Sequence, residues 1–505
     1  MGLILGWAAM GNPSYLELER RFERMYLLRD AAAVLEWDAS TFMPDGGAQA
    51  RADQMATLRV LRHEMLTAPD LGELFDKASS GDLDEWQRAN VREMRREHVH
   101  ATAVPAQLVE ARSQAVSACE MRWRSARKAN DFEGLRPLLE EVLRLTREVA
   151  QAKSGALSVS PYDALLDEWE PGGRSADLDR VFGALESFLP ALVGRVIEHQ
   201  ASHPLPHGPD GVFPESKQTE LAHRVMAAMG FEREHGRLDV SVHPFCGGTP
   251  EDVRITSRWD EADFVTGLFS VVHETGHALY ERGLPRKWIR QPVGNARGMS
   301  MHESQSLLWE KQAGRSPEFT EWLAPIAREV FGGSGPRWTG EAILGDMLRV
   351  ERSLIRVDAD EVTYPLHVIL RYRLERAMIA GELAVKELPA AFDEGMEKLV
   401  GIRPPNVCDG CLQDIHWPGG MFGYFPTYTL GAMTAAQLYS AAREAVPTIP
   451  ESLSRGDAKP LLTWLRTNVH EKGSLLDGNE LITRATGRPL DAEVFRKHLE
   501  RRYLG

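Results

Sequence analysis

Cysteine is scarce in this chain, with four cysteines in 505 residues. So few cysteines exclude a disulfide framework and predict a reducing compartment. Only Cys408 and Cys411 have the C-x-x-C spacing, and the sequence contains no second such pair. We interpret the two residues as free thiols. The alternatives are a zinc site completed by His243 and Cys246, or a redox pair.

An excess of positive charge and long apolar runs are also missing. The formal net charge is −14, from 59 basic and 73 acidic residues, which argues against a nucleic-acid partner because such surfaces are basic. Residues 1–10 are apolar, but they lack a basic flank and Asn12-Pro13 follows them, so they match neither a signal peptide nor a membrane span. The sequence therefore predicts a cytoplasmic protein with no membrane partner.

The chain is rich in helical periodicity. Apolar residues recur at helical spacing among Glu, Arg, Leu and Ala in the stretches 15–36, 85–128, 131–152, 176–200, 216–229, 338–355, 361–383 and 386–399. We find no internal repeat or linker. The sequence predicts a mainly α fold with one domain over residues 1–505.

Extended structure is indicated mainly at residues 237–256. Leu238, Val240 and Val242 alternate with polar residues, and a Gly-Gly-Thr-Pro turn is predicted at residues 247–250. Alternation resumes at Val253 and Ile255. This pattern predicts a β-hairpin, and its edge strand would pair with an extended peptide substrate.

Residues 273–277 read His-Glu-Thr-Gly-His, the sequence's most informative segment. On a helix, His273 and His277 lie on one face and can bind one metal ion. Glu274 is then placed to take a proton from the attacking water. The surrounding residues 260–282 have helical apolar spacing, with Asp260 as the predicted N-cap and a stop at Gly283.

Two histidines need a third protein ligand to form a catalytic metal site. Glu303 and His302 follow His277 at a suitable separation, on a second predicted helix. Adjacent helical residues point about 100° apart, so only one of the two can bind the ion. Geometry alone leaves both open, although Glu303 completes the pattern of two histidines and one glutamate.

The sequence resembles the M32 family of metallocarboxypeptidases, the Taq carboxypeptidase type. Six motifs in order carry the resemblance: His243-Pro244-Phe245; Asp252, Arg254 and Thr256; His273 to His277; His302-Glu303-Ser304-Gln305; Ile355-Arg356 with Ala359-Asp360; and Gly410, Gln413-Asp414 and His416-Trp417. Weaker similarity extends over nearly the whole chain. The resemblance implies a large helical zincin-like fold with a deep substrate groove and a small sheet beside the metal helix.

The resemblance also implies a function. One divalent metal per chain is expected at His273, His277 and Glu303, with zinc favoured and cobalt or manganese as alternatives. The substrates are peptides with a free C-terminus, cleaved with broad specificity and poorly before a terminal proline. Glu274 is the general base, and His416 and Tyr424 line the site. A homodimer is expected.

A carboxypeptidase must recognise a free carboxylate, which an arginine fork suits. The family comparison indicates Arg356, with Arg254 as a second choice. The alternative for each arginine is a structural ion pair, with Asp358 or Asp360 for Arg356 and with Asp252 for Arg254. His243 is either a substrate contact or a buried, hydrogen-bonded histidine.

Two other classes of function compete with this interpretation. A metallo-oligopeptidase or aminopeptidase could use the same metal motif, but the Gly-x-Met-Glu-Asn segment expected of one aminopeptidase type is absent from the sequence. A binding protein on an inactive peptidase scaffold is the more distant alternative, which the presence of Glu274 and all three ligands disfavours.

Overall fold

The computed structural model describes residues 12–241 and 243–505. The apolar stretch at residues 1–10 and the predicted strand position Val242 lie outside the described residues. None of the helices in the described part combines the length and apolarity that a membrane crossing requires.

Twenty α-helices follow one another in the described residues. Nine precede the sheet: α1 (Pro13–Thr41), α2 (Ala48–Leu66), α3 (Leu71–Ser79), α4 (Glu85–Thr102), α5 (Ala106–Ala129), α6 (Phe132–Leu157), α7 (Pro161–Trp169), α8 (Ser175–Ser202) and α9 (Glu215–Met229). Eleven follow it: α10 (Phe264–Gly283), α11 (Gly298–Leu307), α12 (Pro317–Phe331), α13 (Gly340–Met347), α14 (Tyr364–Ala380), α15 (Leu388–Leu399), α16 (Pro426–Ala445), α17 (Ile449–Leu453), α18 (Lys459–Asn468), α19 (Gly478–Thr486) and α20 (Ala492–Leu504). The prediction of a mainly α fold is confirmed.

Six of the eight predicted helical stretches correspond to one helix each, with shifted ends. The stretch 85–128 instead forms two helices, α4 and α5. Pro105 stands between them with φ −59° and ψ 141°, outside the helical region. Proline has no backbone N–H to continue the helical hydrogen bonds, which explains the break.

The predicted helix at 338–355 is wrong beyond Met347, where α13 ends. Arg315 Nη1 donates to the Met347 carbonyl at 2.9 Å, and Gln200 Nε2 donates to the Leu348 carbonyl at 2.8 Å. These side chains take the carbonyls that a longer helix would have used. The chain therefore forms no α-helix from residue 348 to 363, and Arg356 lies in this segment at the start of a short 3-10 turn, Arg356–Asp358.

A three-stranded sheet precedes α10. Its strands are β1 (Gly236–Val240), β2 (Phe245–Thr249) and β3 (Asp252–Ser257), in the order β1-β3-β2. The predicted hairpin between residues 238–242 and 253–255 is wrong in its pairing, because β1 runs parallel to β3. The antiparallel hairpin is formed by β2 and β3. The predicted turn at 247–250 is wrong: residues 247–249 belong to β2, and the chain turns at Pro250 and Glu251.

The buried apolar residues form three clusters. The first lies mainly on α6, α8, α14 and α15, and the second on α9, α10, α12 and α18. α16 contributes Met433 and Ala436 to the first cluster and Ala435 and Leu438 to the second. The third and smallest cluster joins α1, α3 and α4. The single domain over residues 1–505 stays a prediction.

Candidate active site

The metal-binding motif lies on α10, whose apolar face is buried. Phe264, Leu268 and Val271 are among the buried residues of this helix, as the periodicity predicted. The N-cap is Asp263, whose Oδ1 accepts from the backbone N–H of Val265 at 2.9 Å. The prediction of Asp260 as the cap is wrong, because its carboxylate accepts from Ala262 N in the preceding turn. The predicted end at Gly283 is confirmed.

Two glycines let neighbouring helices approach the site. A Cβ atom on Gly276 would lie 2.7 Å from the carbonyl oxygen of Gln305 and 2.7 Å from Cα of Ser306, both on α11. A Cβ atom on Gly431 of α16 would lie 2.8 Å from Cβ and Cγ of Glu303. Only glycine fits at these contacts without movement of a neighbour. They hold Glu303 close to the histidine face of α10.

The structure brings together side-chain ligand atoms of His273, His277 and Glu303. The three atoms all lie within 4.8 Å of one another. Oε2 of Glu303 is 3.9 Å from Nε2 of His273 and 3.7 Å from Nε2 of His277. Two imidazole nitrogens and one carboxylate oxygen at this spacing fit a divalent cation of the zinc type.

His302, the alternative to Glu303, has a different contact. Its Nε2 lies 2.8 Å from Oε1 of Glu281, one helical turn beyond His277 on α10. Its ring is tilted against the His277 ring, with the centroids 4.5 Å apart. The ligand cluster formed by the described residues includes Glu303 and leaves His302 out.

Glu310 is a site residue that the sequence analysis missed. Its Oε2 accepts from Nδ1 of His273 at 2.9 Å, which leaves Nε2 of that ring facing Glu303. Its Oε1 lies 2.8 Å from Nζ of Lys311 and 3.2 Å from Nη2 of Arg315. A carboxylate on the second nitrogen of a ligating histidine fixes its ring orientation and tautomer.

The position of Glu310 explains why it was missed. It lies in a π-helical turn at Leu308–Ala313 that continues α11. A π-helical turn shifts the faces of a helix, so regular α-helical spacing from Glu303 does not indicate where Glu310 points. The pairing of His273 with Glu310 became visible only in three dimensions.

Carboxylates are crowded on this side of the site. Glu274 is 8 % exposed, and burial raises its pKa to about 7, although His273 acts in the opposite direction. Burial also raises the pKa of Glu303. Neither carboxylate has a lysine or arginine within 4 Å among the described residues. A bound cation would stabilise both ionised groups, which supports the fit of a metal.

Arg356 is buried, with 5 % of its surface exposed. Its Nε and Nη2 lie 2.9 Å and 2.8 Å from Oδ1 of Asp414. Its Nη1 donates to the Tyr364 hydroxyl at 2.8 Å. Arg356 therefore does form an ion pair, but the prediction of Asp358 or Asp360 as its partner is wrong, because the acid is Asp414. Asp360 instead accepts from the backbone N–H groups of Val362 and Thr363, just before α14.

Asp414 also binds a second arginine that the sequence analysis missed. Nε of Arg371 lies 2.6 Å from Oδ2 of Asp414, and the Arg371 side chain is 1 % exposed. Two guanidinium groups thus share one carboxylate. We call this group of Arg356, Arg371 and Asp414 the wall of the site. Arg371 lies on α14. The sequence does not single it out, because its local pattern is the same as that of a surface arginine on a helix.

Arg254 and His243 come from the sheet region. Arg254 pairs with Asp252 at 2.6 Å, as one alternative predicted, and its guanidinium lies 4.4 Å from the ring centre of Trp37 on α1. The His243 residue is exposed, so the interpretation as a buried histidine is wrong. The structure does not bring either residue into the cluster of Arg356 and Asp414.

His416 and Tyr424 meet in an aromatic group. His416 Nε2 lies 3.1 Å from the Tyr428 hydroxyl, and its ring lies 4.3 Å from that of Phe425. The Tyr424 ring is 5.7 Å from that of His416. Burial lowers the pKa of His416 to about 3 and raises that of Tyr424 to about 12, so both side chains are neutral near pH 7.

The helical fold and this site define the class. A histidine pair and a glutamate are arranged for one divalent ion beside a buried glutamate, in a mainly helical scaffold, and these features are those of a zincin-like metallopeptidase. The family model for "Carboxypeptidase Taq (M32) metallopeptidase" matches residues 17–503. The chain belongs to this family and is a metallocarboxypeptidase.

Relatives with similar sequences agree. The chain is 40 % identical to thermostable carboxypeptidase 1 of Thermus thermophilus over 96 % of this chain and 97 % of that protein. It is 34 % identical to carboxypeptidase 1 of Bacillus subtilis, over 94 % and 95 % of the two chains. Metallocarboxypeptidase 1 of Trypanosoma cruzi has a solved structure with a TM-score of 0.95 and 43 % identity, covering 97 % of this chain and 99 % of that one.

Proposed function

We propose that this metallocarboxypeptidase removes single residues from the free C-terminus of peptides, with broad specificity. The observation that carries the proposal is that a metal-ligand cluster and a buried guanidinium group lie within electrostatic range of each other. Burial dominates the electrostatics of Glu303, but the charge of Arg356 also acts on this carboxylate and favours its ionised form. A cation site and an anion-binding arginine this close suit a terminal peptide bond.

We assign His273, His277 and Glu303 as the ligands of one divalent ion, with zinc favoured and cobalt or manganese as alternatives. The distances of 3.9 Å and 3.7 Å between Glu303 and the two histidines support this assignment. Such an ion, when bound, supplies Lewis-acid polarisation of the scissile carbonyl and acidifies water. Glu310 holds Nδ1 of His273 so that Nε2 is the free donor atom.

Glu274 is the general base in this proposal. It lies on α10 and is 8 % exposed, and its carboxylate interacts electrostatically with His273 and Glu303, which supports a role beside the ligands. It takes the proton of the attacking water and delivers it to the departing amine. We assign the Tyr424 hydroxyl and the neutral His416, whose rings lie 5.7 Å apart, as donors to the developing oxyanion.

Arg356 is the recognition residue for the terminal carboxylate. Arg254 and His243 stay predictions as substrate contacts, with Arg254 also joining α1 to the sheet through Trp37. The edge strand β2 is proposed to pair with the extended peptide, since its outer edge has no strand partner among the described residues. The homodimer and the cytoplasmic location also stay predictions.

The deciding experiment compares a peptide carrying a free C-terminus with its C-terminally amidated form. Each is incubated with metal-loaded protein and with a chelator-treated control, and the products are analysed by mass spectrometry. We expect a metal-dependent ladder of single-residue losses from the free peptide alone. Internal cuts in both peptides would identify an oligopeptidase, and the absence of cleavage with every metal would favour the binding protein.

The base assignment has its own test in Glu274→Gln. We expect this variant to bind metal normally and to lose about 100- to 10,000-fold in kcat, the range typical of a general base. Metal content by elemental analysis and single-turnover rates should be measured together. Undiminished turnover would remove Glu274 from this role.

A further inference from the structure

We propose that the Tyr364 hydroxyl donates directly to the C-terminal carboxylate of the substrate, and that Arg356 acts largely through this hydroxyl. The inference rests on the proposed function and deepens it. Arg356 is already paired with Asp414, and the Tyr364 hydroxyl would let this part of the site still bind the substrate carboxylate.

The first step is that Asp414 already occupies the fork of Arg356. One edge of a guanidinium group that can bind both oxygens of a carboxylate consists of Nε and one terminal nitrogen. Both Nε and Nη2 of Arg356 lie within 2.9 Å of Oδ1 of Asp414. A substrate carboxylate cannot take this edge unless it displaces the buried Asp414 from Arg356. The remaining nitrogen, Nη1, donates to Tyr364 at 2.8 Å.

The second step is the charge of the cluster. Arg356, Arg371 and Asp414 are in direct contact, so two positive groups share one negative group. The two histidines beside them, His367 and His416, are neutral near pH 7, because burial lowers the pKa of each to about 3. The cluster therefore carries one net positive charge, which matches the single negative charge of a peptide C-terminus.

The third step is the hydrogen bonding of Tyr364 itself. Its oxygen accepts from Arg356, so its own O–H remains to donate. No acceptor for that O–H lies within hydrogen-bond distance among residues 12–241 and 243–505. Burial raises the pKa of Tyr364 to about 12, so the hydroxyl keeps its proton near pH 7. A guanidinium group on the acceptor side strengthens the hydroxyl as a donor.

The fourth step is access. Arg356 is buried and its guanidinium lies 4.9 Å from the ring centre of Tyr428, whereas Tyr364 is only partly buried. The charge of Glu303 contributes to the raised pKa of Tyr364, so the hydroxyl lies within electrostatic range of this metal ligand. The hydroxyl therefore extends the positive charge of Arg356 towards the position of a terminal carboxylate next to the scissile bond.

The test is Tyr364→Phe, which removes one oxygen atom and keeps the ring. The matched control is Tyr372→Phe on the same helix, whose hydroxyl contacts Ser175 and Asp179 away from the site. We expect Tyr364→Phe to raise KM for a free-carboxylate peptide by about 10- to 100-fold, the range for a hydrogen bond to a charged group, with a smaller change in kcat. Tyr372→Phe should behave as wild type.

A second measurement needs no catalysis. Calorimetry on the metal-free protein compares binding of N-acetylphenylalanine with that of its amide, which lacks the carboxylate charge. We expect the wild type to prefer the acid, and Tyr364→Phe to lose most of this preference while keeping the wild-type melting temperature to within a few degrees. An unchanged preference and KM in Tyr364→Phe would overturn the assignment of Tyr364 while leaving the proposed function intact. A wild type that cleaves no free-carboxylate peptide would overturn both.

Discussion

The metal side of the active site and the wall are both buried and charged, but one has an excess of negative charge and the other an excess of positive charge. On the metal side, Glu303 has only imidazoles as charged partners within 4 Å, and Glu274 has no charged partner within that distance among the described residues, whereas Glu310 is paired with Lys311 and Arg315. On the opposite wall, two arginines share one aspartate. Buried charges are normally paired. The metal side therefore needs a cation and the wall needs an anion, so each imbalance indicates the ligand that its side binds.

The two sides also differ in the backbone that carries them. The metal ligands lie on two regular helices that pack closely at Gly276. Arg356 lies on an irregular segment, and its backbone N–H donates to Oε1 of Gln413 at 2.8 Å. The metal side is held together by close helix packing, whereas the wall depends on side-chain hydrogen bonds between distant segments. Substitutions on the metal side should therefore change metal affinity, whereas substitutions in the wall should change substrate binding.

The largest effect is expected for Glu303→Ala. Removing one of three ligands should weaken metal binding by more than about 100-fold and abolish hydrolysis. This loss exceeds the one expected for a residue that only hydrogen-bonds to a ligand. Equilibrium dialysis against zinc measures the change. His302→Ala is the control, because His302 contacts Glu281 and should leave most of the metal affinity. Equal losses in both variants would contradict the choice of Glu303.

The next largest effect is expected for Arg356→Ala. Removing the positive charge of the wall should lower kcat/KM for free-carboxylate peptides by about 100-fold, whereas zinc affinity stays unchanged. Asp414 would keep Arg371 as a partner, so the protein should still fold. Steady-state kinetics and zinc dialysis on the same preparation check both points. A parallel loss of zinc would show that the two sides are not independent.

A smaller effect is expected for Glu310→Gln. The amide is a weaker acceptor for Nδ1 of His273, so zinc affinity should fall by about 10- to 100-fold. KM for peptides should change little, because the wall is untouched. Zinc release to a chelator, followed by absorbance, gives the rate. A variant that releases zinc at the wild-type rate would show that Glu310 serves only Lys311 and Arg315.

The smallest effect on activity is expected for Glu375→Gln, a buried carboxyl outside both sides. Burial raises the pKa of Glu375 from 4.5 to about 8. An acid with a raised pKa in the folded state contributes stability fully below pH 4.5, and this stability is lost as the pH rises through 8. Urea unfolding should show a decline of a few kcal/mol in wild type between these limits. The Gln variant should show a flatter profile and normal activity.

Local patterns predicted the metal helix well, because the apolar spacing of α10 and the His-Glu-x-x-His motif are contained in one helix. The wall was harder to predict. The acid that binds Arg356 is Asp414, 58 residues away in sequence, and not the nearby Asp358 or Asp360. Sequence separation hides such pairs, since only the fold brings their segments together. The motif around Gln413-Asp414 indicated a functional segment, but it did not indicate that Asp414 pairs with Arg356.

Backbone details also escaped the sequence analysis. Residues 247–249 were predicted as part of a turn, yet they pair with β3, and Gly248 has φ +85° with the position of its missing Cβ 2.1 Å from the Asp252 carbonyl oxygen. Glycine here permits a close strand contact and not a reversal of the chain. The end of α13 at Met347 similarly depends on Arg315 and Gln200, whose hydrogen bonds no local pattern indicates.

The close packing at Gly276 has a consequence for the history of the protein. A side chain at this position would collide with the backbone of α11, where no substitution can remove the obstacle. The second variable position of the His-Glu-x-x-His motif is therefore not free to vary in this chain. Any lineage that replaces Gly276 must first move α11, and with it Glu303. The positions of the two helices are thus coupled, because a side chain at residue 276 fits only if α11 moves.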